Sequence, residues 1–456
     1  MPFDARFQLQ RLAQNGHLPP DKVIELLPCV AKCLTKSDTT TVIPALRYLS
    51  SQLPFAGPDT DASEIELQAL ESTLQQSIET VSASDPYASV LANQHEHIML
   101  IHKALVTPAG IYLEGPEPEV GNRVLRKYST FRNYFLSVTF ADEDGEKLRF
   151  DRQTSSEKIY SRYRKVLEQV INIAGRGYEV IKFLGFSHSS LRANSTWFMA
   201  PFVLDGNLLH ARAVIKDLGD FTIFRSPAKC AARIGQAFSQ TLSSTPIPES
   251  AIYRIPDVER NGYTFSDGVG TCSRDIMKKI WERYSRRRAH KPTIFQIRFQ
   301  GAKGVISLDT RLPDNRLCLR DSMVKFEVSP SSSAEIEICG AANKPLPMFL
   351  NRPLIKILED LGVPKQSFMD LQAEVVENLR MTTLSPINAS TFFARSHIGT
   401  PNRLPWLIRK LDYCGFHFNE DDFLRNTLEM AVLVELREIK YRSRIRVEQG
   451  ITVYGG

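Results

Sequence analysis

The sequence lacks the features that would place it in a membrane or outside the cell. No apolar run reaches the ~18 residues that a membrane-spanning helix needs. The 7 Cys are scattered and include no CxxC pair, which indicates free thiols in a reducing compartment rather than a disulfide scaffold. We therefore expect an intracellular protein, in the nucleus or the cytoplasm, that has no membrane as a partner.

Lysine and arginine are also absent from residues 48–102, where eight acidic side chains occur. The opposite holds for residues 274–298, which carry nine basic and two acidic side chains. Positive charge of this density attracts polyanions through the release of counterions, although a solvated helix face accounts for the same pattern. We name as the basic patch Lys278, Lys279, Arg283, Arg286, Arg287 and Arg288.

The order of the hydrophobic patterns predicts several domains within the 456 residues. Helical periodicity comes first, short alternating strands follow in the middle of the chain, and helices return afterwards. The predicted fold is α+β and multi-domain, with mostly helical upstream and downstream segments around a small β-barrel. The predicted boundaries are 1–105 for a helical and acidic segment, 106–260 for an α+β region, 261–345 for the barrel and 346–456 for a helical connector.

Four basic residues lie on or beside the predicted strands of the barrel region. Hydrophobic side chains at 295, 297 and 299 alternate with polar ones, which predicts a half-buried strand that carries Arg298. A turn at 301–304 would carry Lys303, and further short strands would carry Arg320 and Lys325. Cations held rigidly on strands can meet phosphate oxygens closely, but Arg298 and Lys325 could equally be solvated alternate positions of their strands.

Two groups of residues resemble metal sites. The acidic run 142–146 could hold Mg²⁺, but an Asp144–Gly145 hairpin turn explains it fully and is the interpretation we favour. His95, His97 and His102 lie close together in sequence, yet no further Cys or His has the spacing of a metal ligand. We therefore predict no metal site from either group.

Seven segments together resemble the eukaryotic, cellular RNA-dependent RNA polymerase family of RNA silencing. One of them is QIRFQGAKGV at 296–305, and another is FSDGVG at 265–270. Each segment alone is a weak signal, but all of them occur in the order that the family has. The other five segments are 121–128, 183–197, 232–239, 319–326 and 350–353.

The resemblance implies a fold, substrates and roles for the basic residues. The family's core contains two double-psi β-barrels, and region 261–345 is similar to the first, preceded by a slab-like template-handling region. By motif match, Lys303 and Lys325 would bind the nucleoside triphosphate and the RNA backbone, with Arg298 and Arg320 as neighbours. The implied partners are an RNA template, nucleoside triphosphates and other RNA-silencing proteins, and the complete enzyme would use Mg²⁺.

The sequence departs from the family's pattern in one respect. The family's second barrel carries an Asp-x-Asp-Gly-Asp signature that binds the catalytic Mg²⁺, and this sequence does not contain it. We therefore expect no catalytic residue and no metal site in this chain, and a truncated polymerase that produces siRNA precursors only when completed. Two alternatives stay open: a non-catalytic RNA-binding protein that uses the basic patch and the barrel lysines, and a helical interaction scaffold.

Overall fold

The structure is a computed structural model, and it divides into two compact units, Met1–Ala341 and Ala342–Gly455, which are considered separately. No helix in the described part of the chain combines the length and the hydropathy that a membrane span requires. The structure describes residues 1–54, 61, 64–84, 97–146, 155–180, 194–284, 291–328, 333–396, 398–399 and 402–453.

Four helices form the start of the first unit, as the periodicity predicts. Their apolar faces pack into one core, in which Leu12, Leu26, Leu46 and Leu74 are fully buried. Burial of such faces stabilises helices more than their intrinsic propensity does. The helices are α1 Phe3–Gln14, α2 Pro20–Lys36, α3 Thr39–Gln52 and α4 Leu67–Ala83.

A six-stranded mixed sheet follows, in the order β2-β1-β3-β6-β5-β4. Its β1 and β3 run parallel and its other pairs are antiparallel. The strands are β1 Ile98–Val106, β2 Ile111–Val120, β3 Phe135–Phe140, β4 Ile171–Ile173, β5 Arg176–Val180 and β6 Ser195–Met199, and the helices between them are α5 Arg123–Lys127 and α6 Ser156–Glu168.

A short hairpin and two helices lead from this sheet to the next one. They pack around Phe221 and Phe238, and Phe326 from later in the chain is buried in the same core. The hairpin strands are β7 Phe202–Leu204 and β8 Asn207–Leu209, and the helices are α7 Ala211–Leu218, α8 Pro227–Ile234 and the 3₁₀ turn Gly235–Phe238.

The predicted β-rich region is a seven-stranded sheet in the order β10-β16-β13-β15-β14-β17-β9. Parallel pairs join β10 to β16 and β13 to β15, and the other neighbours are antiparallel. The strands are β9 Ser243–Pro248, β10 Ile252–Ile255, β13 Val269–Cys272, β14 Ile294–Phe299, β15 Ala302–Leu308, β16 Leu317–Arg320 and β17 Ser333–Ala341; a separate hairpin pairs β11 Glu259–Arg260 with β12 Tyr263–Thr264, and α9 is Arg274–Tyr284.

The alternation predicted for β14 is confirmed. Phe295, Ile297 and Phe299 are buried in one core together with residues of α9, while Arg298 is only half-buried. The sheet takes in β9 and β10, which precede residue 261, so it extends beyond the predicted barrel segment. The predicted domain boundaries stay predictions.

The second unit is mostly helical, as expected for the chain after residue 346. Its two strands, β18 and β19, are antiparallel although a long stretch of sequence separates them. The elements are β18 Leu346–Phe349, α10 Arg352–Asp360, α11 Lys365–Thr382, α12 Pro386–Arg395, α13 Leu404–Tyr413, α14 Asp422–Arg442 and β19 Arg446–Thr452.

The tight turn between β14 and β15 requires glycine at position 301. Gly301 has a φ of +80°, and a Cβ atom there would lie 2.0 Å from the carbonyl oxygen of Phe326. Gly262, in the β11–β12 hairpin, has a similar φ of +75°, but a Cβ atom there would meet nothing within 4 Å. A side chain at position 262 would therefore meet only an unfavourable backbone conformation, whereas one at position 301 would also overlap the backbone of Phe326.

We expect Gly301→Ala to destabilise the first unit much more than Gly262→Ala. The left-handed backbone alone disfavours alanine by about 1 kcal/mol at either position, whereas the overlap at 301 also forces the Phe326 segment to move, for a total of at least about 3 kcal/mol. Urea denaturation followed by circular dichroism measures the two losses. Equal losses would show that Phe326 does not approach Gly301 as closely as described.

Candidate functional site

The β14–β15 hairpin carries two basic residues side by side. Arg298 and Lys303 are register partners in this antiparallel pair, so their side chains lie on the same face of the sheet. The turn occupies Gln300 and Gly301, both with positive φ. The prediction that Lys303 lies in the turn is therefore wrong, because the turn is shorter than 301–304 and Lys303 is the second residue of β15.

Lys325 reaches the same hairpin from a different part of the chain. After β16 the chain forms a 3₁₀ turn, Asp321–Met323, and the backbone N–H of Lys325 then donates to the carbonyl oxygen of Gly301 at 3.0 Å. Its Nζ donates to the carbonyl oxygen of Ser322. The predicted strand at 324–328 is wrong, because only a single bridge, Ala302 to Val324, forms there.

A carboxylate that no sequence pattern indicated holds this 3₁₀ turn in place. Asp257 accepts hydrogen bonds from the backbone N–H and the hydroxyl of Ser322, at 2.8 and 2.6 Å, and from the hydroxyl of Ser266 at 2.8 Å. These hydrogen bonds, with those from Ser322 the largest contribution, hold the pKa of Asp257 below its usual value. The hydroxyl of Ser322 also accepts from the backbone N–H of Gly268 at 2.9 Å.

Positive charge accumulates around Lys303. Partial burial lowers the pKa of Lys303, and the positive charges of Arg298, Arg233 and Lys325 lower it further. Arg233, from the last turn of α8, was not among the predicted residues. It belongs to the family-like segment 232–239, but that motif does not show that the segment lies near Lys303. The proximity depends on a contact between distant parts of the chain.

No carboxylate in the described part of the chain forms an ion pair with these four cations. Glu337 is the register partner of Arg298 on β17, but it is buried and forms its salt bridge with Arg126. Burial raises the pKa of Cys339 to about 11, so this neighbouring thiol is neutral at pH 7. The excess positive charge therefore favours an anionic ligand.

The remaining predicted strand residue, Arg320, lies elsewhere on the sheet. It is in β16, which β13 separates from β15, and its Nη1 donates to the carbonyl oxygen of Pro256 at 2.7 Å. The structure thus brings Arg298, Lys303 and Lys325 together and places Arg320 on the other side of β13.

The basic patch lies partly on α9. The side chains of Lys278 and Arg283 are exposed, and the Nζ of Lys279 donates to Asn315 Oδ1 at 3.2 Å. Arg286, Arg287 and Arg288 lie outside the described residues. The three described residues of the patch therefore lie on the surface of a helix. This location agrees equally with a polyanion-binding site and with a solvated helix face.

Among the described residues, neither group that resembles a metal site in the sequence gathers ligands. Residues 142–146 form a turn in which the backbone N–H of Gly145 donates to Asp142 O at 3.0 Å. The chain that would complete the predicted hairpin after residue 146 lies outside the described residues. The ring of His102 is buried against Phe3 and Phe7, and His95 lies outside the described residues. Where the structure describes the chain, no three His, Cys, Asp or Glu side chains come together to hold a metal ion.

Comparison with known proteins identifies the family. The family model described as RNA dependent RNA polymerase matches residues 106–456, which is more than half of the chain. The chain belongs to the RNA-dependent RNA polymerase family. This confirms the family resemblance of the seven sequence segments.

Curated relatives in plants support the same family. The chain is 35% identical over 368 residues to RNA-dependent RNA polymerase 1 of Arabidopsis thaliana, an alignment that covers 78% of this chain and 32% of the relative. It is 29% identical over 471 residues to RNA-dependent RNA polymerase 2 of the same plant, which covers 100% of this chain and 39% of the relative. The chain thus spans about a third of the length of these polymerases.

A solved structure supports the fold. The RNA dependent RNA polymerase QDE-1 from Thielavia terrestris matches with a TM-score of 0.56 at 15% sequence identity, over 89% of this chain and 50% of that chain. The mixed α+β architecture predicted from the sequence is therefore confirmed.

The like-charged cluster predicts the titration of Lys303. We expect its amine to react with an amine-specific acylating reagent at a lower pH than an ordinary lysine does, because the pKa of Lys303 is lowered and the neutral amine is the reactive form. In Arg298→Ala, one neighbouring positive charge is gone, so the pKa of Lys303 rises and the pH of half-maximal labelling moves up. Mass spectrometry of labelled peptides over a pH series measures this. An unchanged Lys303 profile in the variant would contradict the described proximity of Arg298 and Lys303.

Proposed function

We propose that this chain supplies the phosphate-binding part of an RNA-directed RNA polymerase, which synthesises complementary RNA on an RNA template in RNA silencing. Arg298, Lys303 and Lys325 bind the phosphates of a nucleoside triphosphate and of the RNA backbone. The observation that carries this proposal is the convergence of these three cations, from β14, β15 and the segment after β16, with no paired carboxylate among the described side chains.

The chemistry of nucleotidyl transfer explains why fixed cations belong at such a site. Negative charge builds up on the transferring phosphoryl group and on the leaving pyrophosphate, and donors that are already in place stabilise it without reorganising. Arg298 and Lys303 are held by strand pairing, and Lys325 is held by the backbone contact to Gly301. Arg320, on the other side of β13, contacts a different phosphate of the RNA backbone.

We also propose that the seven-stranded sheet contains the first double-psi β-barrel of the family. Support comes from the parallel pair β13–β15 beside the antiparallel hairpin β14–β15, and from the single apolar core that these strands share. The preceding α+β region, 106–260, handles the template, and the helices after residue 346 form a connector.

Magnesium enters this proposal only for the complete enzyme. The family relation implies a divalent metal ion for catalysis, but the described residues offer no cluster of carboxylates that fits one. The role of this chain's own residues is therefore to bind and orient phosphate groups. Its proposed partners are an RNA template, nucleoside triphosphates and other RNA-silencing proteins, in the nucleus or the cytoplasm.

Removal of either barrel lysine tests the proposal. We expect Lys303→Ala and Lys325→Ala each to weaken the binding of ATP by about tenfold or more, because a charge-assisted contact to phosphate contributes ~1.5–3 kcal/mol. Isothermal titration calorimetry of the 456-residue chain measures the affinity. Lys32→Ala, which removes an exposed lysine of α2, is the control and should bind ATP like the unchanged chain.

Two results would count against this function. Equal ATP affinity in the unchanged chain and both variants would show that the lysines do not bind the triphosphate. Binding of RNA without any binding of ATP would favour the non-catalytic RNA-binding alternative, for which the comparisons give no support.

The basic patch predicts a contribution to RNA binding that is separate from the triphosphate site. We expect the double variant Lys278→Glu, Arg283→Glu to bind single-stranded RNA more weakly and with a shallower salt dependence, by ~0.7 in the log–log slope for each lost phosphate contact. Its ATP affinity should stay unchanged. Fluorescence anisotropy of labelled RNA over a salt series provides the slope.

The matched control reverses the charge of two exposed lysines on α2, Lys32→Glu and Lys36→Glu. If this control loses as much RNA affinity as the α9 variant, the effect reflects net charge alone and the patch is a solvated helix face.

A further inference from the structure

Helix α8 brings one more cation to the hairpin that carries Lys303. Arg233 lies in the last turn of α8, and the buried 3₁₀ turn Gly235–Phe238 follows it directly. Within this turn, the side-chain amide of Gln236 donates to the carbonyl oxygen of Ala302 at 3.0 Å, in a buried contact. Ala302 immediately precedes Lys303, so this hydrogen bond ties the end of α8 to the start of β15.

The guanidinium of Arg233 lacks a partner in the described part of the chain. Its Nε is buried and makes no hydrogen bond, and no carboxylate forms an ion pair with it. The buried Nε of Arg298 is also without a partner. A buried donor that stays unsatisfied costs about 1–3 kcal/mol, and two guanidinium groups near one ammonium group also repel one another. A bound oxyanion beside these groups would remove the repulsion between the cations around Lys303.

We propose that Arg233 is a further ligand of the phosphate group that the β14–β15 hairpin binds, so that this group is held between the end of α8 and the hairpin. This inference rests on the proposed function and extends it to a residue from outside the seven-stranded sheet. A guanidinium suits the role because its planar donors can bind two phosphate oxygens at once, which an ammonium cannot do. Gln236 is a positioning residue, since it contacts Ala302 rather than the ligand.

The phosphate could belong to a triphosphate or to an RNA strand, and two probes separate these sources. The affinities of the 456-residue chain for ATP and for single-stranded oligoadenylate are measured with Arg233→Ala and Arg233→Lys, in a salt series for the RNA. We expect Arg233→Ala to lose about tenfold or more for the probe whose phosphate it binds, and Arg233→Lys to recover only part of the loss. If the probe is RNA, the log–log salt slope should also fall by ~0.7.

Arg225→Ala is the matched control, because Arg225 is an exposed arginine just before α8. It should keep both affinities, and thermal melting checks that all variants fold alike. Wild-type affinity for both probes in Arg233→Ala, together with a loss in Lys303→Ala, would overturn the role of Arg233 and leave the proposed function standing. Absence of binding in the unchanged chain would overturn both.

If Arg233→Ala also melts at a lower temperature, Arg233→Lys separates a structural role from a phosphate contact. A lysine variant that melts like the unchanged chain but still binds the affected probe more weakly supports the contact, because the guanidinium's geometry is then required. A lysine variant that melts normally and binds both probes like the unchanged chain overturns the proposal.

Discussion

Two positive side chains face each other across the β14–β15 hairpin, and the candidate site depends on this unfavourable pair. Like charges placed directly opposite one another in a sheet repel, yet strand pairing holds Arg298 and Lys303 in register. The neighbouring carboxylate, Glu337, is already paired with Arg126 and does not offset them. The fold therefore sustains a concentration of positive charge that an anion would relieve, which is the physical basis of the proposal that this surface binds phosphate.

The geometry of the pair depends in turn on close backbone packing. Gly301 lets the hairpin turn pass against the carbonyl of Phe326, and the Gly304 backbone approaches the carbonyl of Gly268 in the same way. Asp257 fixes the adjoining 3₁₀ turn through Ser322, and this turn leads directly to Lys325. The cations are thus placed before any ligand arrives, which is the condition under which fixed charges stabilise a developing negative charge most effectively.

Sequence patterns predicted the parts of this arrangement that depend on local order. The alternation around Phe295 predicted β14 and its half-buried Arg298. The family motifs named Lys303 and Lys325 as candidates, but the predicted turn at 301–304 and strand at 324–328 do not form as expected. The role of Asp257 and the proximity of Arg233 could not be predicted, because both arise from contacts between segments that are distant in sequence. The predicted turn, 301–304, also begins one residue later than the observed turn at Gln300 and Gly301. The position of the observed turn follows from the approach of Phe326 rather than from the glycine spacing.

The difference between Arg298 and Arg320 shows what the motif match alone cannot supply. Both are strand arginines, and each has a buried Nε without a partner in the described structure. However, Arg320 donates to the carbonyl of Pro256 on the far side of β13, whereas Arg298 lies opposite Lys303. The two arginines are chemically alike and both lie in family-like segments, but they occupy different places on the sheet. Since a phosphate group is only a few ångströms across, a single one cannot bridge both arginines over the two intervening strands, β13 and β15. The surface must therefore bind more than one phosphate if both arginines take part. A nucleic-acid backbone, which repeats its charge at regular intervals, meets that requirement in a way that an isolated anion does not.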